Sequence, residues 1–212
     1  MTEHVKSNFF SQAWLVLLLA LCFGGLLAAV QITLGPTIEA NKINETLAKV
    51  PEMVFGAARA QELAANQQTV DVNPLSVEVD KAGKTVRYSV YEAKTAGHLD
   101  GWVAKTAGQG YADRIEMLIG FDPQMDKITG IFILDQKETP GLGNKIVTEE
   151  WRQQFVGKAT NQPLEVVKGN VKAGNEIDAI TGATISSKSV TGIINTAVKD
   201  LRNPLIEKAK GK

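Results

Sequence analysis

Residues 13–30 read Ala-Trp-Leu-Val-Leu-Leu-Leu-Ala-Leu-Cys-Phe-Gly-Gly-Leu-Leu-Ala-Ala-Val, with no charged side chain among them. Extended by residues 31–34, this run reaches the ~20 residues needed to cross a bilayer core. The sequence therefore predicts one transmembrane helix over residues 13–34, preceded by a short, largely polar cytoplasmic segment, residues 1–12. A cleavable signal peptide is the alternative. Its apolar stretch is usually shorter and its first region basic, whereas here Lys6 stands beside Glu3 and Leu27-Ala28-Ala29 makes a poor cleavage site. Length favours a retained anchor. Cys22 follows Leu21, where a lipoprotein signal needs a small residue, so it reads as an apolar filler. Lys6 and the amino terminus favour an inside N-terminus, while Lys42 and Lys49 close behind the helix weaken that charge signal.

The remainder has room for one domain of ordinary size. Charge is balanced at 23 basic and 23 acidic residues, which gives no electrostatic footprint for a nucleic acid. With a single cysteine the chain has no internal disulfide and cannot ligate an Fe–S cluster. No Gly-x-Gly-x-x-Gly unit marks a nicotinamide site, and no cluster of side chains points to a metal.

Behind the anchor, Gly35-Pro36 is expected to end the membrane helix, and residues 35–67 form a helical connector. That connector resumes over residues 37–49, is interrupted at Pro51, and continues as a short Ala-rich helix over residues 53–67. The period then changes to two. Val70, Val72, Val77 and Val79 face Val86, Tyr88 and Val90 across Asp80-Lys81-Ala82-Gly83-Lys84, the pattern of a hairpin. Further strands are expected at 101–107, 115–122, 128–135, 164–167 and 177–180, with a helix at 148–155 and a turn at Lys168-Gly169-Asn170. From Ser186 the stripe Val190, Ile193, Ile194, Ala197, Val198 and Leu201 predicts an amphipathic helix ending before Asn203-Pro204, and residues 207–212 read as a frayed, charged tail. The fold class is α+β, with one domain of antiparallel strands and helices over residues 68–212.

Three stretches carry the chemistry. Asp178-Ala179-Ile180-Thr181-Gly182-Ala183-Thr184 joins the last strand to this helix. A helix N-terminus offers unpaired N–H groups and a positive dipole end, and Gly182 and Ala183 let a ligand approach the backbone, so the junction suits a phosphate. The plainer reading is a capped helix start in which Thr and Ser satisfy the free N–H groups. Glu138-Thr139-Pro140-Gly141-Leu142-Gly143 forms a tight turn after a strand, and Gly108-Gln109-Gly110-Tyr111 forms a turn before one. Each of these also reads as an ordinary connection.

Asp-x-x-Thr-Gly-Ala-Thr, here Asp178 and residues 181–184, resembles the flavinylation motif of the FMN-binding domain family. That family includes the G subunit of the Rnf electron-transport complex and the C subunit of the Na+-translocating NADH:quinone reductase. Glu138, Thr139, Pro140, Gly141, Leu142 and Gly143 resemble a second motif of the same family, in the same order along the chain. A Gln, Gln136, stands where a His is common. The run ending in Tyr111 matches a third motif in part, Ala112 replacing its last glycine. The resemblance implies one FMN attached through its phosphate to Thr184 by a flavin transferase that uses FAD. Thr181, Gly182 and Ala183 would shape the attachment turn, and Asp178 would be either a motif residue read by the transferase or a cap or charge near the attachment site. The loop of residues 138–143 would flank the ring, and Tyr111 would line its cleft. It also implies an electron carrier that is not catalytic alone. The bulk of the chain would lie on the extracytoplasmic side of the inner membrane, among the other membrane and peripheral subunits of an Rnf-type complex. The C subunit of the quinone reductase and a cofactor-free, membrane-anchored binding protein are the alternatives.

Overall fold

The computed structural model describes residues 9–81, 83–169, 171–172 and 174–210. Residues 1–8, which make up most of the expected cytoplasmic segment, lie outside the described residues, as do Ala82 and Asn170 of the two expected turns and the last two residues of the tail. The chain divides into two compact units, Met1–Glu45 and Thr46–Lys212.

Helix α1 spans Phe9–Phe55. Its segment Ala13–Phe55 is long and apolar enough to cross a membrane, and none of its most apolar window is buried in protein. Leu17, Leu21 and Phe23 all stand exposed. An all-round apolar surface left uncovered by protein is what a bilayer span requires. Neither proline breaks the helix, contrary to the expectation at Gly35-Pro36 and at Pro51. Proline already has the helical φ, so each removes one N–H from the ladder while the bonds on either side persist. At Pro51 the loss is offset by packing, since Val50 and Met53 on either side are buried. Helix α1 stops at Phe55, where Gly56 takes φ +79°, and α2 follows at Ala57–Ala65.

The second unit is built on an antiparallel five-stranded meander. Its strands are β1 (Val70–Lys81), β2 (Lys84–Thr95), β3 (His98–Gln109), β4 (Arg114–Phe121) and β5 (Ile128–Asp135). Alternation sorts the side chains onto two covered faces. Val90, Trp102, Ala104, Met117 and Ile131 share a core with Val190, Ile194, Ala197 and Leu201 of α4 (Thr184–Lys210). On the other face Tyr91, Ala93, Val103 and Leu118 pack with Val50 and Met53 from the end of α1. That approach is close: Thr129 Oγ1 donates to the Met53 carbonyl at 2.6 Å, and any Cβ on Gly120 would overlap that carbonyl.

Helix α4 does not end before Asn203-Pro204 but runs through Pro204 to Lys210. Pro204 leaves the Asp200 carbonyl without its intrahelical donor, yet Leu205 beyond it is fully buried, and Ile206 and Ala209 also reach the core. The apolar stripe outlasts the proline, and residues 207–210 are therefore helix rather than frayed tail. Across this stretch Tyr88 donates its hydroxyl to the buried Asp200 carboxylate, which also pairs with Lys81 Nζ at 2.5 Å. Burial, then the bond to Asp200, then its charge push the Tyr88 hydroxyl well above its ordinary range.

Two further departures bear on the site. The helix expected over 148–155 is instead α3 (Glu149–Arg152) followed by a 3-10 turn, Gln153–Phe155, and another 3-10 turn, Gly143–Val147, precedes it. The segment is held by outside partners rather than its own ladder. Trp151 Nε1 donates to the Asp178 carbonyl at 3.0 Å, and Arg152 donates to the Ile131 carbonyl at 3.0 Å. The last strands, β6 (Glu165–Val167) and β7 (Glu176–Asp178), pair in parallel, so the domain is not antiparallel throughout. Asn175, just before β7, is tied to the segment that precedes β6. Its side chain accepts from the Ala159 N–H and donates to the Ala159 and Gln162 carbonyls, all within 3.1 Å.

Candidate functional site

Where β7 gives way to α4 the chain makes one tight turn. The Ala183 N–H donates to the Ile180 carbonyl at 2.9 Å, and Gly182 has φ +81°, the arrangement of a type II turn that a residue with a Cβ adopts only under strain. Ser187 ties the two sides together: its Oγ accepts the Ile180 N–H at 3.0 Å and donates to the Ala183 carbonyl at 3.1 Å. Asp178 is tied to the loop after β6. Its carboxylate accepts the Gly169 N–H at 2.8 Å, which fixes the loop that carries Lys168.

Glu138 lies beneath the same junction, 4% exposed. One carboxyl oxygen accepts the Ala112 N–H at 3.1 Å and the other accepts the Ser186 hydroxyl at 2.5 Å. Its backbone N–H in turn donates to Gln136 Oε1 at 2.6 Å. Gly110 and Gly143 lie against this carboxyl, and a Cβ on either would overlap it. The loop before β4, the loop after β5 and the first turn of α4, just beyond the 178–184 stretch, therefore meet at one buried side chain. Outside it, Lys137 pairs with Asp113 at 3.1 Å on the surface. The Arg114 N–H and then Lys137 hold the Asp113 carboxyl below its usual range.

Two clefts open on either side of Thr184. The larger, of about 580 Å³, is lined by Tyr111, Thr139, Leu142, Gly143, Gly182, Ala183 and Thr184, together with Lys168, Ile185 and Ser186. Tyr111, Leu142 and Ile185 present exposed apolar surface there. The second, of about 440 Å³, is polar and includes Asp178, Thr181, Gly182, Thr184, Lys168 and Gly169. Pro140 and Gly141 are exposed and line neither cleft. Lys168, Ile185 and Ser186 escaped the sequence reading. Lys168 sits in what reads as a plain charged turn, and Ser186 as a generic helix-start serine. Among the described residues no group of metal-ligating side chains comes together.

The larger cleft fits FMN. Its volume lies within the range of small-molecule and cofactor sites, it combines apolar walls with a few polar groups, and a half-buried hydroxyl stands at its edge beside a helix N-terminus. The FMN-binding domain family matches residues 110–199, a span that holds the 138–143 and 178–184 stretches in full and Gly110-Tyr111 of the third. Fold and cleft are thus those of a flavin-binding domain carried behind an apolar helix.

The chain belongs to the FMN-binding domain family, among the G subunits of Rnf ion-translocating electron-transport complexes. It is 37% identical over 174 residues to the G subunit of the Na+-translocating ferredoxin:NAD+ oxidoreductase complex of Acetobacterium woodii, a match covering 81% of each chain. The C subunit of the Na+-translocating NADH-quinone reductase of Vibrio anguillarum is 32% identical over 154 residues, which cover 67% of this chain and 60% of that one. The crystal structure of Shewanella oneidensis NqrC has the same fold, with a TM-score of 0.63 at 20% identity over 82% of this chain and all of the other.

Proposed function

We propose that this chain is the membrane-anchored electron-carrier subunit of an Rnf-type complex and holds one FMN through a phosphoester to Thr184. The observation that carries this is the state of the hydroxyls in the first turn of α4. Ser186 and Ser187 are buried and bonded, whereas Thr184 is half-buried and borders both clefts. Gly182 and Ala183 leave the backbone open to a phosphate, and the positive end of α4 and the Lys168 ammonium supply its counter-charge. Tyr111, Leu142 and Ile185 offer the apolar surface from which a planar ring excludes water. Asp178 holds the Lys168 loop, and Glu138 holds the floor. Bound there, FMN supplies one- and two-electron transfer, while the chain fixes its place.

The long apolar helix is the single-pass anchor, and we place the second unit on the extracytoplasmic side, as the family resemblance implies. The other subunits of the complex are its partners, and a flavin transferase using FAD is its maturation enzyme. The match over four fifths of a G subunit favours this assignment over the quinone-reductase C subunit.

The test is the intact mass of the full chain produced with the flavin transferase, beside Thr184→Ala. The wild type should gain the mass of FMN less water, and the variant should not. An unmodified wild-type chain, with the transferase shown to be active, would return Thr184 to a helix-start residue. Co-purification with ferredoxin:NAD+ rather than quinone-reductase subunits separates the G reading from the C reading.

A further inference from the structure

We infer that Glu138 keeps Ser186 from competing for the flavin: by holding the Ser186 hydroxyl it leaves Thr184 as the acceptor within the first turn of α4. The inference rests on the Thr184 reading above. Three hydroxyls lie within the first turn of α4, at Thr184, Ser186 and Ser187, and a transferase acting on this junction meets all of them. Ser187 is withdrawn by its place in the fold, fully buried and bonded on both sides to the turn it closes.

Ser186 is a different case. It borders the same cleft as Thr184, yet the residue is only 2% exposed. Its hydroxyl is directed at Glu138 Oε2, at 2.5 Å, under the backbone of Gly143, where an added Cβ would lie 2.7 Å from Ser186 Oγ. What keeps this oxygen out of the cleft is its rotamer, and Glu138 is the partner that fixes the rotamer. A Ser on a helix has other staggered positions available once that bond is lost.

In the transfer itself an acceptor oxygen attacks the FMN phosphorus of FAD. A new O–P bond forms, the P–O bond to the departing AMP breaks, and AMP leaves with that electron pair as the hydroxyl proton passes to solvent. The attacking oxygen has to be reachable in line with the leaving group. The Ser186 oxygen, buried under Gly143 and bonded to Glu138, is not. Freed from Glu138, it would lie in the same turn as Thr184 and bear the same kind of nucleophile.

The experiment compares full-length chains produced with the flavin transferase and FAD, read by intact mass and by mapping the modified peptide. Wild type should carry one FMN on Thr184, and Thr184→Ala none. Thr184→Ala/Glu138→Ala should carry FMN on Ser186, at no less than a tenth of wild-type occupancy. Thr184→Ala/Glu138→Gln, whose amide still bonds the Ser186 hydroxyl, should stay unmodified. Flavin on Ser186 in Thr184→Ala alone would overturn the inference, because the hydroxyl would then not be masked. So would a Glu138→Ala double variant that melts cooperatively yet carries no flavin. Should that variant fail to fold, Thr184→Ala/Glu138→Asp withdraws the carboxyl from Ser186 with less loss of volume and is read against the same two outcomes. An unmodified wild type would instead remove the Thr184 reading and this inference with it.

Discussion

Ser186 Oγ in the first turn of α4 donates to Glu138 Oε2, 48 residues earlier in the chain, at 2.5 Å. Both residues are buried, and the opposite carboxyl oxygen accepts the Ala112 N–H. One side chain therefore holds the loop before β4, the loop after β5 and the start of α4 in a single arrangement.

Glu138→Ala should destabilise the domain by about 2–4 kcal/mol, because it removes a buried side chain that joins three segments and leaves the Ala112 N–H without its partner. Thermal melting of the detergent-solubilised chain measures it. A shift indistinguishable from that of an exposed substitution such as Glu150→Ala would show that the three loops hold together without this carboxyl.

Gly143→Ala places a methyl group against both partners at once, 2.7 Å from Ser186 Oγ and 2.9 Å from Glu138 Oε2. Overpacking of this kind costs about 1–3 kcal/mol. The same melting experiment reads it, and Gly141→Ser, at a site whose Cβ would meet nothing but whose φ is +76°, separates backbone strain from crowding.

Leu205, fully buried one residue beyond Pro204, should cost about 2–5 kcal/mol when cut to Ala. A helix that ended at the proline would make the same substitution nearly silent in a denaturation curve.

Stability should fall as the solution becomes alkaline. Burial first, then Asp200, raise the folded-state pKa of Tyr88 above the unfolded value of 10.0, and burial does the same for Tyr91. Above about pH 10 the unfolded chain therefore releases protons that the folded chain keeps. The contribution is complete below that pH and is lost as pH rises toward the folded-state value. Melting temperatures between pH 9 and 11, roughly spanning the unfolded tyrosine value, should decline less steeply for Tyr88→Phe than for the wild type.

Lys168 is exposed, so Lys168→Glu should leave the melting temperature within about 1 °C, in line with the small effects of surface substitutions. Flavin incorporation should nevertheless slow by about tenfold, the loss expected when a phosphate meets an anion in place of a cation. A time course of intact mass with the transferase present follows it, and an unchanged rate would remove Lys168 from the phosphate site.

Most of the strand and helix pattern was legible because the alternating residues of β1 to β5 and the stripe of α4 report directly which face is buried. The prolines misled. At Pro36, Pro51 and Pro204 local propensity predicts a stop, but one missing donor is a small loss beside a continuing ladder and, at Pro51 and Pro204, buried neighbours such as Met53 and Leu205. Tyr111, Thr139, Leu142, Gly143 and the residues of the 181–184 turn all lie in the motifs, and the fold brings them to two adjoining clefts. Lys168 and Ser186 were not legible. The importance of Lys168 comes from the parallel pairing of β6 with β7, which returns its loop to the junction, and that of Ser186 from a partner far away in sequence.

Thr184 stands at the border of two openings, so an FMN tethered there, as proposed above, would occupy the apolar cleft through an intramolecular equilibrium. A short flexible tether sets an effective concentration on the order of millimolar, whatever the concentration of free flavin in the surroundings. Under such a tether the cleft would have no need of high affinity for FMN. It could stay shallow and open to a partner, hold the ring loosely in every oxidation state, and still never lose it.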